Sequence, residues 1–297
     1  MLEWFCMAKH SSYIFAGLAV ILWGSTAAVT KLLLGGLDSW QVLFFNCLFA
    51  FLGLLAVAVL QKKTVLVRGY TKKDFLVFAG MGFLGPFIYT LFLISALSRL
   101  PAQEAFIINY LWPVMTVIFA VFLLKEKTTG VKVLGTVVSF LGVVIVVTRG
   151  AIWDLQFSNS AGVLFAGAGA ALFGLFSVLG KKQIHEKLTS MTIFYFFGAL
   201  YSLISVILFS DIGRITLTQL AGVVWLGAFT SGLAFVFWFM AFQKGDTAKM
   251  SNLILLTPFV SLVYIYFLLG EKILPSSVLG LLVVVAGIAI QSSQKPV

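Results

Sequence analysis

Charge is what this chain has least of: 10% of its 297 residues are Asp, Glu, Lys or Arg, against 61% hydrophobic. A water-soluble fold of this size has no means of hiding so much apolar surface, so the bilayer must be the solvent. The mean hydropathy of +1.09 agrees. Alternating apolar and polar segments of barrel-strand length are also missing, which excludes an outer-membrane β-barrel. With 2 cysteines and 2 histidines there is no disulfide framework and no metal-ligand spacing. Cys6 lies in a short tail and Cys47 in an apolar segment, so free thiols are expected; His10 and His185 read as solvated tail and loop residues. No glycine-rich nucleotide loop occurs, because Gly80-Met-Gly82 and Gly167-Ala-Gly169 fall inside apolar helices, where small residues serve close packing. No enzyme signature, metal or cofactor is therefore expected. The formal charge of +10 comes without any basic run longer than Lys62-Lys63 or Lys181-Lys182, so it does not signal nucleic acid. Nor is the start of the chain a cleavable signal: the apolar segment Tyr13–Leu34 is too long for one and lacks a small-x-small site.

What is present is a series of apolar runs, each near the ~20 residues that cross the hydrocarbon core. The pattern predicts an all-α membrane protein with ten spans: Tyr13–Leu34, Ser39–Leu60, Asp74–Leu97, Ala102–Leu124, Val131–Thr148, Ala161–Gly180, Thr189–Phe209, Leu217–Phe242, Thr247–Leu269 and Ser276–Gln291. Connections are brief, so no soluble domain is inserted. Fifteen of the 20 Lys and Arg fall in the tails and alternate connections; the other loops hold only Lys31, Arg99, Arg149, Arg214 and Lys272. The positive-inside rule then places both termini in the cytoplasm of a multi-pass inner-membrane protein.

The chain also repeats itself. A shift of 145 residues lays Pro113 on Pro258, Gly82 on Gly227, Ala96 on Ala241, and Glu126-Lys127 on Glu271-Lys272. Near the start of each half a shift of 150 lays Gly17 on Gly167, Leu22-Trp23-Gly24 on Leu172-Phe173-Gly174, and Lys31 on Lys181. Five spans per copy is odd, so the second copy, residues 151–297, enters the membrane inverted relative to the first, residues 1–150. Such inverted repeats build secondary transporters with a site near the midplane. The small-residue pairs Gly135…Ser139 and Gly280…Val284 are too weak to define an interface.

Polar and helix-breaking residues are costly in lipid, so their clustering from Gln103 to Pro113 points to function. A proline inside a helix frees the carbonyl four residues earlier. Pro113 would free that of Asn109, Pro258 that of Ile254, and Pro86 that of Gly82. Asn109, Trp112 and Pro113 are spaced i, i+3, i+4 and share one helix face, either a cavity wall or a helix contact bonded through the amide. Trp23 with its repeat mate Phe173, Tyr89 three residues past Pro86, Tyr110, Trp238 and Asn252 are candidates for the same wall. Glu104 falls in the first turn of the fourth span, where it suits a cap or gate rather than a proton carrier. No acid sits at mid-membrane.

The Leu22-Trp23-Gly24-Ser25 stretch, the proline-bearing fourth and ninth spans and the two Glu-Lys pairs together resemble the EamA branch of the drug/metabolite transporter superfamily, over essentially the whole chain. Asn109-Tyr110-Leu111-Trp112-Pro113 is more specific and is similar to the bacterial aromatic amino acid exporters. The resemblance implies two inverted five-helix repeats around a central, largely apolar cavity, and export of Phe, Tyr, Trp and related compounds by alternating access. It implies that Trp112 lines the cavity, joined by Trp23 and Tyr89. Where relatives carry an aromatic pair at the first span of each half, this chain has Trp23 and Phe173, without a second indole N–H. Alternatives are a multidrug or cationic-compound exporter, a nucleoside-like uptake carrier and, from another class, a channel or membrane scaffold. The partners expected are a small-molecule substrate and the lipid bilayer, with the chain a monomer.

Overall fold

The computed structural model describes residues 2–125, 129–151, 159–244 and 253–292. Among them there are helices and no strands. Seven are long and apolar enough to cross a membrane, and three shorter apolar helices cover Val133–Val146, Thr257–Leu269 and Pro275–Ile290. The first helix, α1 (Leu2–Leu33), begins well before the predicted span, because no Gly or Pro interrupts residues 2 to 13. The membrane-length part starts at Ser11.

Side-chain caps mark the helix starts. Asp38 opens α2 (Ser39–Leu60), accepting from the N–H groups of Trp40 and Gln41 while Gln41 reaches back to the Asp38 N–H. Thr71 and Asp74 do the same for α3 (Lys72–Gly82). The span continues through a π-helical turn, Phe83–Tyr89, into α4 (Thr90–Leu97). Widening from i+4 to i+5 pairing offers the carbonyl that a proline deprives of its donor the next N–H along, and Pro86 lies inside this turn. After it come α5 (Ala102–Asn109), α6 (Trp112–Leu124), α7 (Gly130–Val147), α8 (Ser160–Lys181) and α9 (Lys187–Phe209). Next, α10 (Leu217–Val224) runs through a second π segment, Trp225–Leu233, into α11 (Ala234–Lys244); the last two helices are α12 (Thr257–Tyr264) and α13 (Pro275–Ser292).

The chain divides into two compact units, each drawing on both halves of the sequence. The first comprises Met1–Phe87 with His185–Tyr264. Its centre is α2, whose Val42, Leu43, Cys47, Ala50 and Leu54 are fully buried against α9 and the second π segment. Two glycines set the approach. A Cβ on Gly82 would strike the Phe194 carbonyl oxygen at 2.6 Å and the Phe197 Cβ at 2.8 Å, with the Gly198 nitrogen at 3.4 Å. A Cβ on Gly227 would strike the Phe49 Cβ at 2.6 Å and the Asn46 carbonyl oxygen at 2.7 Å, with the Ala50 nitrogen at 3.0 Å. The spacing of the partners, i, i+3, i+4, is the same in both. The Cys47 thiol donates to the Pro86 carbonyl at 3.2 Å, and the Tyr201 hydroxyl to the Ala79 carbonyl at 3.2 Å.

The second unit comprises Ile88–Ile184 with Ile265–Val297. Here α7 and α13 pack backbone to backbone: a Cβ on Gly142 would lie 2.7 Å from the Gly280 carbonyl oxygen, and one on Gly287 would lie 2.3 Å from the Ser139 hydroxyl. Ser139 donates across the contact to the Val284 carbonyl at 3.2 Å. The small residues Gly135, Ser139, Gly280 and Val284 therefore lie at a contact inside the chain. Within a membrane such close approach supplies the dispersion that hydrophobicity cannot.

Candidate functional site

The fourth span is broken. α5 stops at Asn109; Tyr110 and Leu111 adopt a tight turn with φ −68° and −69° and ψ near zero, and α6 starts at Trp112. Pro113 thus occupies the first turn of a new helix, where its missing N–H costs little, rather than kinking a continuous one. At the matching place in the ninth span a 3-10 turn at Ile254–Leu256 leads into α12 at Thr257 and Pro258.

In the second unit the break gathers most of the predicted residues. The Asn109 amide donates to the Tyr89 hydroxyl at 3.4 Å. The Tyr89 ring lies 4.6 Å from that of Phe173, and Phe173 meets Trp112 perpendicularly at 5.0 Å. Trp112 in turn meets Tyr110 at 6.4 Å, and Tyr110 meets Phe106 at the same distance. Asn109 is 4% exposed and Tyr110 3%, while Tyr89, Trp112 and Phe173 are half-buried. Gly174 lets α8 approach α6, since a Cβ there would lie 2.7 Å from that of Met115.

Trp23 and Trp238 belong to the first unit, with rings 5.5 Å apart; Phe235 meets Trp23 edge-on at 5.2 Å. Gly24 brings α1 onto α12, because a Cβ there would lie 2.6 Å from Val260. Asn252 and the Glu126-Lys127 pair lie outside the described residues.

Glu104 lies in the first turn of α5. Its carboxylate, 2% exposed, accepts from the Arg149 Nε at 2.9 Å. Arg149 is carried there by a left-handed turn ending α7, with φ +52° at Arg149 and +86° at Gly150. The carboxylate at the start of α5 is that of Glu271, accepting from the Ala102 N–H at 2.9 Å. Gln103 adds two bonds to the same loop, donating to the Lys272 carbonyl and accepting from the Leu274 N–H.

Several polar contacts had no local signal. In the first unit Trp225 donates its indole N–H to Ser25 at 2.9 Å, and Ser231 donates to Asn46 at 2.9 Å. His185 is not a solvated loop residue: its Nε2 lies 3.0 Å from Asp74, and its ring packs on Tyr70 and Phe78. Beside it Lys63 pairs with Glu186 at 2.8 Å, and Glu186 also accepts from the Thr189 N–H and hydroxyl. Burial raises the Glu186 pKa, but these hydrogen bonds outweigh it and hold the carboxyl below its ordinary value. Tyr70 is pushed up, first by burial and then by the charge of Glu186.

Taken together the geometry offers ring faces, one amide and few charges. It suits stacking and burial of a small amphipathic molecule rather than covalent chemistry.

Comparison with known proteins is consistent along the whole length. The model of the EamA-like transporter family matches twice, over residues 10–148 and 160–293. An uncharacterized transporter of Clostridium kluyveri is 27% identical over 95% of this chain and 93% of its own. The uncharacterized inner membrane transporter YhbE of Escherichia coli is 26% identical over 82% of this chain and 77% of its own. The aromatic amino acid exporter YddG of Ancylobacter novellus is 28% identical over 60% of this chain and 62% of its own. A protein of known crystal structure shares the fold, with a TM-score of 0.68 and 23% identity over 96% of this chain and 99% of that one.

Proposed function

The chain belongs to the EamA-like transporter family, and on that premise we propose that it exports aromatic amino acids or similar amphipathic small metabolites by alternating access. It is a membrane transporter, not an enzyme. The observation that carries the substrate class is the Asn109–Tyr89–Phe173–Trp112 group at the break of the fourth span. Ring faces at this spacing favour offset or edge contacts with another aromatic ring, each worth ~0.5–1.5 kcal/mol beyond burial. The likeness to YddG over part of the chain supports the same reading.

In this reading the three shorter apolar helices also cross, making ten spans in two inverted repeats, residues 1–150 and 151–297. Both termini face the cytoplasm of the inner membrane, as the loop charges favour. The chain acts as a monomer, since the Gly142 and Gly280 faces are already used within it. Asn109, Tyr110, Trp112, Tyr89 and Phe173 contact substrate, and Trp23 and Trp238 form a second aromatic group. Glu104 holds the start of the fourth span through Arg149 and carries no proton across.

Counterflow in proteoliposomes with labelled Phe, Trp, Thr and a cationic dye tests this. Saturable, trans-stimulated uptake of Phe and Trp is expected. Linear, unsaturable flux would make the protein a channel, and exchange confined to the dye a cation exporter.

A further inference from the structure

The substrate group that the second unit reads is a nitrogen carrying N–H donors, and we propose that the preferred ligands are arylalkyl ammonium compounds in which the carboxylate is dispensable. The inference rests on the transport reading above and concerns the same residues. Its starting point is an atom: the Asn109 Oδ1 is buried and has no hydrogen-bond partner. Other buried oxygens without partners belong to hydroxyls: Tyr70, Ser190, Thr257, Ser261 and Ser277. A hydroxyl has a rotatable hydrogen that can turn toward whichever acceptor is near. An amide carbonyl has no such freedom, so it stays unsatisfied until a donor arrives.

Asn109 is held in place. Its Nδ2 is committed to the Tyr89 hydroxyl, and its backbone ends α5 at the break. The free oxygen faces Gly169 of α8, where a Cβ would lie 3.2 Å from it. Glycine at that position keeps a side chain's Cβ from crowding the oxygen.

The surroundings decide what sort of donor fits. The Phe173 ring lies 4.6 Å from that of Tyr89 and 5.0 Å from that of Trp112, so the three together present π faces and edges. Such faces attract ammonium groups and ring systems and offer nothing to an anion. The two arginines of this unit are engaged elsewhere: Arg99 bonds to the Ser95 carbonyl and lies over Phe165, and Arg149 holds Glu104. An acceptor with aromatic faces, and both arginines of the unit engaged elsewhere, describes an ammonium site and not a carboxylate site.

Phenylalanine can be cut down from either end to test this. 2-Phenylethylamine lacks the carboxylate, and 3-phenylpropionate lacks the amine. Their affinities for the full-length protein in detergent are read from intrinsic tryptophan fluorescence, and phenylalanine exchange is followed separately in proteoliposomes. Phenylethylamine should bind within about threefold of phenylalanine, and phenylpropionate at least tenfold more weakly, about 1.4 kcal/mol. Asn109→Leu should abolish the discrimination while thermal unfolding stays close to wild type. Should that variant not fold, Asn109→Asp serves instead, and should tighten phenylethylamine and weaken phenylpropionate further. Equal binding of the acid and the amine, or no binding of either, overturns the proposal. A preference for the acid overturns it as well, and would mean that the amide stands the other way round, with its N–H pair toward Gly169. Loss of phenylalanine exchange with the amine preference intact would strike at the transport reading and leave the ammonium site standing.

Discussion

The fourth and ninth spans both start a helix on a proline and differ in their side chains. Each has a tight turn just before a proline, at Tyr110-Leu111 and at Ile254–Leu256, and a helix that follows with that proline in its first turn. At the break one copy carries Asn109, Tyr110 and Trp112; the other carries Ile254, Leu255 and Thr257 at the matching positions. The glycines behave like the prolines. Gly82 and Gly227 meet the same three kinds of atom on α9 and α2, and Gly17 and Gly167 both face open space. What the two copies hold in common is therefore geometry, while the amide and aromatic side chains at the turn itself sit in the first. A break in a transmembrane helix alone does not make a binding site.

The largest effect should come from cutting the two copies at the same place. Trp112→Ala removes the ring that meets Phe173 and should lower Phe and Trp exchange at least tenfold, about 1.4 kcal/mol, with membrane insertion retained. Thr257→Ala removes a buried hydroxyl that has no partner. It should change exchange by less than about twofold, since no bond is lost. Equal losses in the two variants would show that the break itself, not its aromatic side chains, carries recognition.

For the glycines the comparison predicts equality. Gly82→Ala and Gly227→Ala each force a methyl onto a backbone carbonyl and should each destabilise by about 1–3 kcal/mol, seen as a lower Tm in detergent. Gly17→Ala and Gly167→Ala meet nothing within 4 Å and should raise Tm slightly through helix propensity, by up to ~1 kcal/mol. A silent Gly227→Ala would remove the common scaffold. A comparable loss, about 1.5–3 kcal/mol, is expected from Arg149→Ala, which strips a buried carboxylate of a charged donor. Glu104→Gln should cost less, because the amide can still accept from Arg149.

Reading apolar helices from the sequence worked because it depends on local chemistry. Apolar runs define helices in lipid, and glycine and proline mark where two backbones touch or a ladder breaks. Even here a local rule misled: Pro113 reads as a kink four residues after Asn109, whereas the turn at Tyr110-Leu111 gives it a new helix to start. Partnerships across long sequence distances left no trace. Nothing near Glu104 points to Arg149, and nothing near Ala102 points to Glu271 as the carboxylate that would hold its N–H. His185 looked like a loop residue because Asp74, Tyr70 and Phe78 are all more than a hundred positions away. The aromatic group lies between these extremes. Trp112 and Asn109 stand out locally, but only the fold shows that Tyr89 and Phe173 join them and that Trp23 packs with Trp238 instead.

The smallest effect tests the comparison at the helix caps. Asp38 opens α2 and Glu186 opens α9, each an acid accepting from the first-turn N–H groups of a span in the first unit. Their surroundings differ: Asp38 accepts from the Ser210 hydroxyl, while Glu186 is paired with Lys63. The Glu186 carboxyl is held below its ordinary value in the fold, by the Lys63 and Thr189 bonds working against burial. A group with a lowered folded pKa contributes stability that is fully present above its unfolded value, about 4.3, and lost as pH falls through the lowered value. Wild-type Tm should therefore drop between neutral pH and pH of about 3.5 by more than that of Glu186→Gln, whose cap cannot titrate. At neutral pH Glu186→Gln and Asp38→Asn should each lie within the ~0.5–2 kcal/mol typical of a cap. The Glu186 variant should show the larger loss, because it alone gives up an ion pair. If Asp38→Asn proved the costlier change, Lys63 would be contributing nothing to that cap.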